Sequence, residues 1–267
     1  MALDRLESWV IAGAAGLVAL LAELLMMQQF VLSGITLYSV MLILLLLYGT
    51  FRWPHPQHEL LVLTIPAIVR LMAYTLPLGN LSPLFAQLIV SVPVGLTAVT
   101  FIWLLELPWP DIRFAWRQLP LYVLLVAAGA VAGWLLYQFQ QPTPPEIGSP
   151  LLWLFYAFVL VVAMAFLEEW LFRGIMQTAL TRLWENGYLA GLVVALVYTT
   201  LSLGQGPWPY ILLIFIMALA LSWLRQATNN LIGVSLAHAA ANLMFFLILP
   251  GMGSAGVLTR VIESWVF

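Results

Sequence analysis

Two adjacent carboxylates, Glu168 and Glu169, stand near the end of a greasy run, Ala163-Met-Ala-Phe-Leu-Glu-Glu-Trp-Leu-Phe-Arg173. Side by side in hydrocarbon they cost several kcal/mol unless a counter-charge or water compensates. Arg173 follows Glu169 by one helical turn, so the two share a helix face in the favourable acid-before-base order. Glu168 points about 100° away from Glu169 on a helix and is left to face something else. In a water-filled hollow of a helix bundle, a desolvated carboxylate has the chemistry of a general base. The plainer reading is an Arg–Glu pair anchoring a helix end, with Glu168 reaching interfacial water.

A second constellation, His238-Ala-Ala-Ala-Asn242, repeats that spacing on a later apolar segment, with Ser235 near the same stripe. Its alanines let a neighbouring helix come close. At 1.5 Å per residue the imidazole lies about 10 Å along a span from Leu231, where it needs a hydrogen bond or a ligand. One ring nitrogen suits a divalent metal such as zinc, with Asn242 as a further ligand or as an oxyanion donor. The plainer reading is a polar clamp between helices.

What positions these residues follows from composition. Of 267 residues, 64% are hydrophobic and 7% charged, against about 25% charged in ordinary soluble domains. Only an all-α polytopic transmembrane bundle tolerates that balance, because backbone polar groups in lipid must be satisfied within each helix. There is no cysteine, which excludes disulfides, thiolate metal sites and cysteine nucleophiles. A net charge of −2, nine arginines and no lysine leave no basic run for nucleic acid. The opening MALDRLES is a poor signal-peptide start, so the stretch after it reads as a retained span.

Apolar windows predict about eight to nine spans: 9–27, 34–49, 60–77, 83–104, 119–138, 150–172, 188–203, 209–224 and 231–249. With the N-terminus inside, Arg5, Arg52, Arg113, Arg117, Arg173, Arg182 and Arg225 fall on one side, and only Arg260 falls opposite. This is the positive-inside pattern of a multi-pass plasma-membrane protein with a cytoplasmic N-terminus. Trp9, Trp53, Trp153, Trp184, Trp208 and Trp223 fall near predicted ends, as an aromatic belt requires. The proline-rich break 138–150 separates an N-terminal region, 1–140, from a second region, 150–249, followed by a tail, 250–267. Residues 174–186 read as an interfacial or re-entrant amphipathic helix, with Gln177, Thr178, Arg182 and Glu185 mostly on its polar side. Glu23 and Arg70 fall inside spans and are expected to pair. Pro66 and Pro93 are expected to kink their helices.

Glu168-Glu169-x-x-x-Arg173 followed by His238-x-x-x-Asn242 resembles the CPBP family, the CAAX proteases and bacteriocin-processing (Abi-type) enzymes. The string Glu-Glu-Trp-Leu-Phe-Arg-Gly174 is close to the family's first motif. The resemblance covers residues 150–249. It implies a bacterial intramembrane metal-dependent endopeptidase of the glutamate type, acting on membrane-proximal peptides. Glu168 would activate water, Glu169 would be held by Arg173, and His238 and Asn242 would bind metal or water and stabilise the tetrahedral intermediate. The metal set so implied is Glu168, His238 and Asn242. The sequence departs at the second motif, Tyr198-Thr-Thr-Leu-Ser202, where Ser202 takes the family's histidine position. A hydroxyl is a poor substitute for a ligating imidazole.

The expectation is therefore a CAAX-protease-like membrane protein with an incomplete motif set. The alternatives are a non-catalytic scaffold that binds a partner membrane protein or lipid, and a small-molecule transporter using Glu23 and Arg70. The span trace puts Glu168 and His238 toward the inner half of the membrane and Ser202 toward the outer end. A common site for all three would need residues 174–186 to dip into the bundle.

Overall fold

The computed structural model describes residues 2–51, 58–76, 81, 83–143, 145 and 148–253. Among them the chain forms nine helices and no strand: α1 (Ala2–Met27), α2 (Val31–Phe51), α3 (His58–Thr75), α4 (Pro83–Leu104), α5 (Leu119–Phe139), α6 (Pro150–Trp184), α7 (Gly187–Thr200), α8 (Trp208–Thr228) and α9 (Leu231–Met252). All except α7 are long and apolar enough to cross a membrane by length and composition. The all-α, multi-pass architecture is the expected one. The predicted loop containing Arg52, Trp53 and His55, Arg260, and the tail beyond residue 253 lie outside the described residues.

Local chemistry sets the helix ends around the C-terminal helices. Ser149, Asn186 and Asn230 each accept a hydrogen bond from a backbone N–H in the first turn of the helix that follows, opening α6, α7 and α9. Glu185 and Asn229 close α6 and α8 in the left-handed conformation, at φ 56° and 49°. The turns that join α6 to α7 and α8 to α9 are therefore only two residues long. In α3, Pro66 marks a change of helix type. It stands in the first α-helical turn, where the 3-10 turns of His58–Thr64 give way and a missing N–H costs little. Pro93 does lie inside α4.

Helix α6 departs most from expectation. It runs unbroken for 35 residues, well beyond the roughly 20 that span hydrocarbon. Residues 174–184 continue α6 and form no re-entrant helix. Gln177 shares a stripe with Leu180 and Trp184, the positions one and two turns on, and is buried with them. Its amide donates to Ser222 O at 2.9 Å and Gly187 O at 3.4 Å. Trp184 is buried and stacks on Trp9 at 4.2 Å. Arg173, expected at the inner face, is instead buried in the interior of α6. Two π-helical stretches, Val159–Phe166 and Trp170–Met176, flank Leu167–Glu169. Widened turns of this kind cluster where side chains are aimed for function.

Helix α9 is held against α5 by small residues. A Cβ at Gly129 would land on the Ala237 carbonyl, and one at Gly133 on the Ala241 carbonyl. The backbones touch along this small-xxx-small seam, which fixes the rotation of α9 and hence the direction of His238 and Asn242. Gly129→Leu is expected to lower thermal stability in detergent by about 1–3 kcal/mol or more through overpacking. Gly13→Leu, where nothing lies within 4 Å, should leave the unfolding curve in place.

The bundle's two ends are tied separately. At one end, Leu231 N–H donates to Asp111 O at 3.0 Å, and Arg182 donates to the Leu105 and Glu106 carbonyls at 2.9 and 3.0 Å. At the same end Trp184 Nε1 donates to Ser8 Oγ at 3.1 Å. At the other end the 201–206 turn approaches Met27 and Gln140.

Candidate functional site

Helices α6, α7 and α9 bring the two sequence constellations together. Glu169 and Arg173 are fully buried and joined at 3.1 Å. Arg173 also donates to Ala218 O at 3.1 Å and Ser222 Oγ at 3.3 Å on α8. Its guanidinium carbon lies 4.9 Å from the centre of the Tyr198 ring. Each guanidinium nitrogen is therefore occupied, as a charge buried this deeply requires, while Glu169 Oε2 has no hydrogen-bond partner among the described residues.

His238 Nδ1 lies 2.8 Å from Glu169 Oε1. A carboxylate only accepts, so Nδ1 carries the proton and donates. In the neutral ring, Nε2 then presents a lone pair. That nitrogen lies 3.9 Å from Glu168 Oε2, too far for a direct hydrogen bond but within reach of one bridging water. Glu169 thus orients the imidazole and Glu168 faces it. Tyr198 O–H donates to Glu168 Oε2 at 2.8 Å and holds the carboxylate from α7.

These groups line a cavity of about 780 Å³ together with Asn242, Ser202, Arg70 and Gln140. Asn242 Nδ2 is buried and has no hydrogen-bond partner among the described residues, which leaves a donor one turn from His238. Ser202 closes α7 and reaches the cavity wall, but its hydroxyl donates back to Tyr198 O at 3.2 Å. The depth conflict in the span trace disappears, because Glu168 lies midway along a helix that runs on to Trp184. Helix α7 climbs back from that end far enough to bring Tyr198 level with it.

Tyr198, Ser222 and Gln177 are the residues that sequence reasoning left out of the site. Tyr198 appeared only as the aromatic before Ser202, and its sequence signal was the span-end motif itself. Ser222 and Gln177 act through long-range contacts that carry no local spacing. The expected Glu23–Arg70 pair forms, at 2.5 Å, and Tyr38 O–H donates to Glu23 at 2.7 Å. Arg70 also donates to the Leu201 carbonyl, tying α1 and α3 to the end of α7.

As a zinc site the donors fit poorly. Glu169 Oε1 is taken by Arg173 and His238. What faces the cavity is one ring nitrogen, the Glu168 carboxylate and a neutral amide, Asn242. No group of three or more His, Cys, Asp or Glu side chains suited to a metal ion occurs among the described residues. Catalytic zinc sites take three such ligands and a water.

Residues 150–244 match a family model described as type II CAAX prenyl endopeptidase Rce1-like. The match runs from the first residue of α6 to just past Asn242, and so takes in both motifs and the span-end segment between them. No curated protein and no solved structure matches the chain.

Proposed function

Residues 150–244 make this chain a member of the CPBP family of CAAX-protease-like membrane proteins, and from that premise we propose that it is an intramembrane endopeptidase working without a metal. The observation that carries the reading is the facing of Glu168 Oε2 and His238 Nε2 at 3.9 Å on the wall of one cavity. A water placed there donates one hydrogen to each, and its lone pair points at an incoming peptide carbonyl. Glu168 removes a proton as the oxygen attacks the carbonyl carbon. The oxyanion takes its hydrogen bond from Asn242 Nδ2. The proton on Glu168 then passes to the amide nitrogen, the C–N bond breaks, and the products are a new carboxyl terminus and an amine. Glu169 and Arg173 do not touch substrate in this scheme. They hold His238 in the tautomer that leaves Nε2 free.

Substrates on this reading are membrane-proximal peptides. The protein would sit in a bacterial plasma membrane with its N-terminus cytoplasmic, in keeping with the arginines gathered on one side of the sequence trace. Ser202 makes the site a slow one, since its hydroxyl is turned into its own helix. One observation supports a second reading, a binding subunit without turnover: the Ser202 hydroxyl, where the family resemblance implies an imidazole, donates into its own helix.

Purified protein in lipid nanodiscs, given a lipid-anchored fluorogenic peptide, distinguishes the two. The wild type is expected to cleave slowly, at a rate unchanged by EDTA. Ser202→His is expected to raise the rate on the order of a hundredfold, the usual worth of a positioned acid–base group. Loss of activity to EDTA with recovery on zinc would overturn the metal-free mechanism. Silence of both proteins would overturn the peptidase reading in favour of the binding subunit.

A further inference from the structure

Four charged side chains line the cavity: Arg70, Glu168, Glu169 and Arg173. Glu169 and Arg173 have side chains 0% exposed and neutralise one another, so an occupant meets neither charge. Glu168 and Arg70 keep 29% and 18% of their side-chain surface. The cavity therefore has two accessible charged groups, an acid at the chemistry and, on α3, a guanidinium whose other edge is paired with Glu23.

Arg70 has binding capacity to spare. A guanidinium carries five N–H donors. Nε and one N–H of Nη2 go to the two oxygens of Glu23, at 2.5 and 2.8 Å, and the other N–H of Nη2 goes to Leu201 O. Both hydrogens of Nη1 are left without an acceptor among the described residues. The Glu23 charge is also drawn on by Tyr38, whose hydroxyl donates to the same oxygen as Nε. A second feature of the cavity wall favours a peptide. Gln140 Oε1 is buried and has no donor among the described residues, which suits the N–H of an extended chain.

We propose that Arg70 is a specificity-determining residue whose Nη1 edge binds a carboxylate of the peptide seated in the cavity. The carboxylate is either the peptide's C-terminus or an acidic side chain. The proposal rests on the peptidase reading for where the scissile bond lies, and the binding it describes can be measured without turnover. Three forms of one dansyl-labelled hydrophobic decapeptide are the probes: free C-terminus, amidated C-terminus, and amidated with one internal glutamate.

Anisotropy titrations use the full chain in nanodiscs. The wild type is expected to bind at least one carboxylate form roughly tenfold or more tighter than the neutral amide, the worth of one charge-assisted hydrogen bond. Which form gains identifies the source of the carboxylate. Arg70→Gln is expected to bind all three forms at the level of the neutral amide. Equal affinity of the wild type for all three, or discrimination that survives Arg70→Gln, overturns the proposal. Should Arg70→Gln fail to fold, competition on the wild type decides: N-acetyl-leucine must displace the probe better than its amide, and equal displacement overturns the proposal. Carboxylate discrimination in a protein that never cleaves would leave Arg70 in its role and remove the peptidase reading alone.

Discussion

Glu168→Gln is expected to abolish peptide cleavage, lowering the rate by about a thousandfold within the 10²–10⁴ range of a lost general base, while the protein keeps its fold. The substitution is nearly isosteric. The amide oxygen still accepts from the Tyr198 hydroxyl, which reaches Glu168 at 2.8 Å. Nothing in the buried Glu169–Arg173–His238 set is disturbed, because those bonds use Glu169 Oε1 alone. What disappears is the carboxylate that lies 3.9 Å from the free nitrogen of His238. Single-turnover assays at saturating protein separate this effect from weaker binding. A rate within tenfold of wild type, in a protein with an unchanged melting curve, would show that Glu168 is not the base.

The largest effect on stability is expected at Arg173. Arg173→Met keeps most of the side-chain volume but strands Glu169, whose carboxylate has no exposed surface. Breaking one side of a buried ion pair costs about 3–5 kcal/mol. Three further interactions go with it: the Ala218 carbonyl and Ser222 hydroxyl lose their donor, and the Tyr198 ring loses its cation. Denaturation in mixed micelles should show that loss directly. Changing Glu169→Gln in the same chain removes the stranded charge and should recover part of it, since contacting residues are not additive. Ser222→Ala alone should cost about 1.5–3 kcal/mol, since it removes the acceptor of one buried, charged N–H. An Arg173→Met protein as stable as wild type would mean that Glu169 is not held in the buried, paired state described.

Much of the fold was legible because lipid is a severe solvent. A run such as Leu119–Phe139 has one solution in hydrocarbon, and the observed helix matches the expected window to within a residue. The Glu169–Arg173 and Glu23–Arg70 pairings were legible for the same reason, since an unpaired charge at that depth is too costly. What failed was reading local pattern where tertiary packing decides. Gln177, Thr178 and Arg182 looked like the polar face of an interfacial helix. Gln177 instead lies on the buried stripe of α6, paid for by carbonyls from α7 and α8 that no spacing announces. The same length of α6 moved Arg173 from the membrane face to the interior. Within the site, the i to i+4 spacing identified the pairs on each helix. The bond from His238 to Glu169, and that from Tyr198 to Glu168, cross between helices and needed the fold.

The claim beneath all of this is that residues 168 and 238 look into one hydrated cavity at close range. The chain contains no cysteine, so a protein with Glu168→Cys and His238→Cys has only those two thiols. Dibromobimane, which fluoresces only after bridging two thiols a few ångströms apart, should react with this protein in nanodiscs and produce an intramolecular cross-link. A water-soluble methanethiosulfonate should label each single variant and block that reaction. Thiols that stay unlabelled by the aqueous reagent, or that label separately and never bridge, would contradict the account.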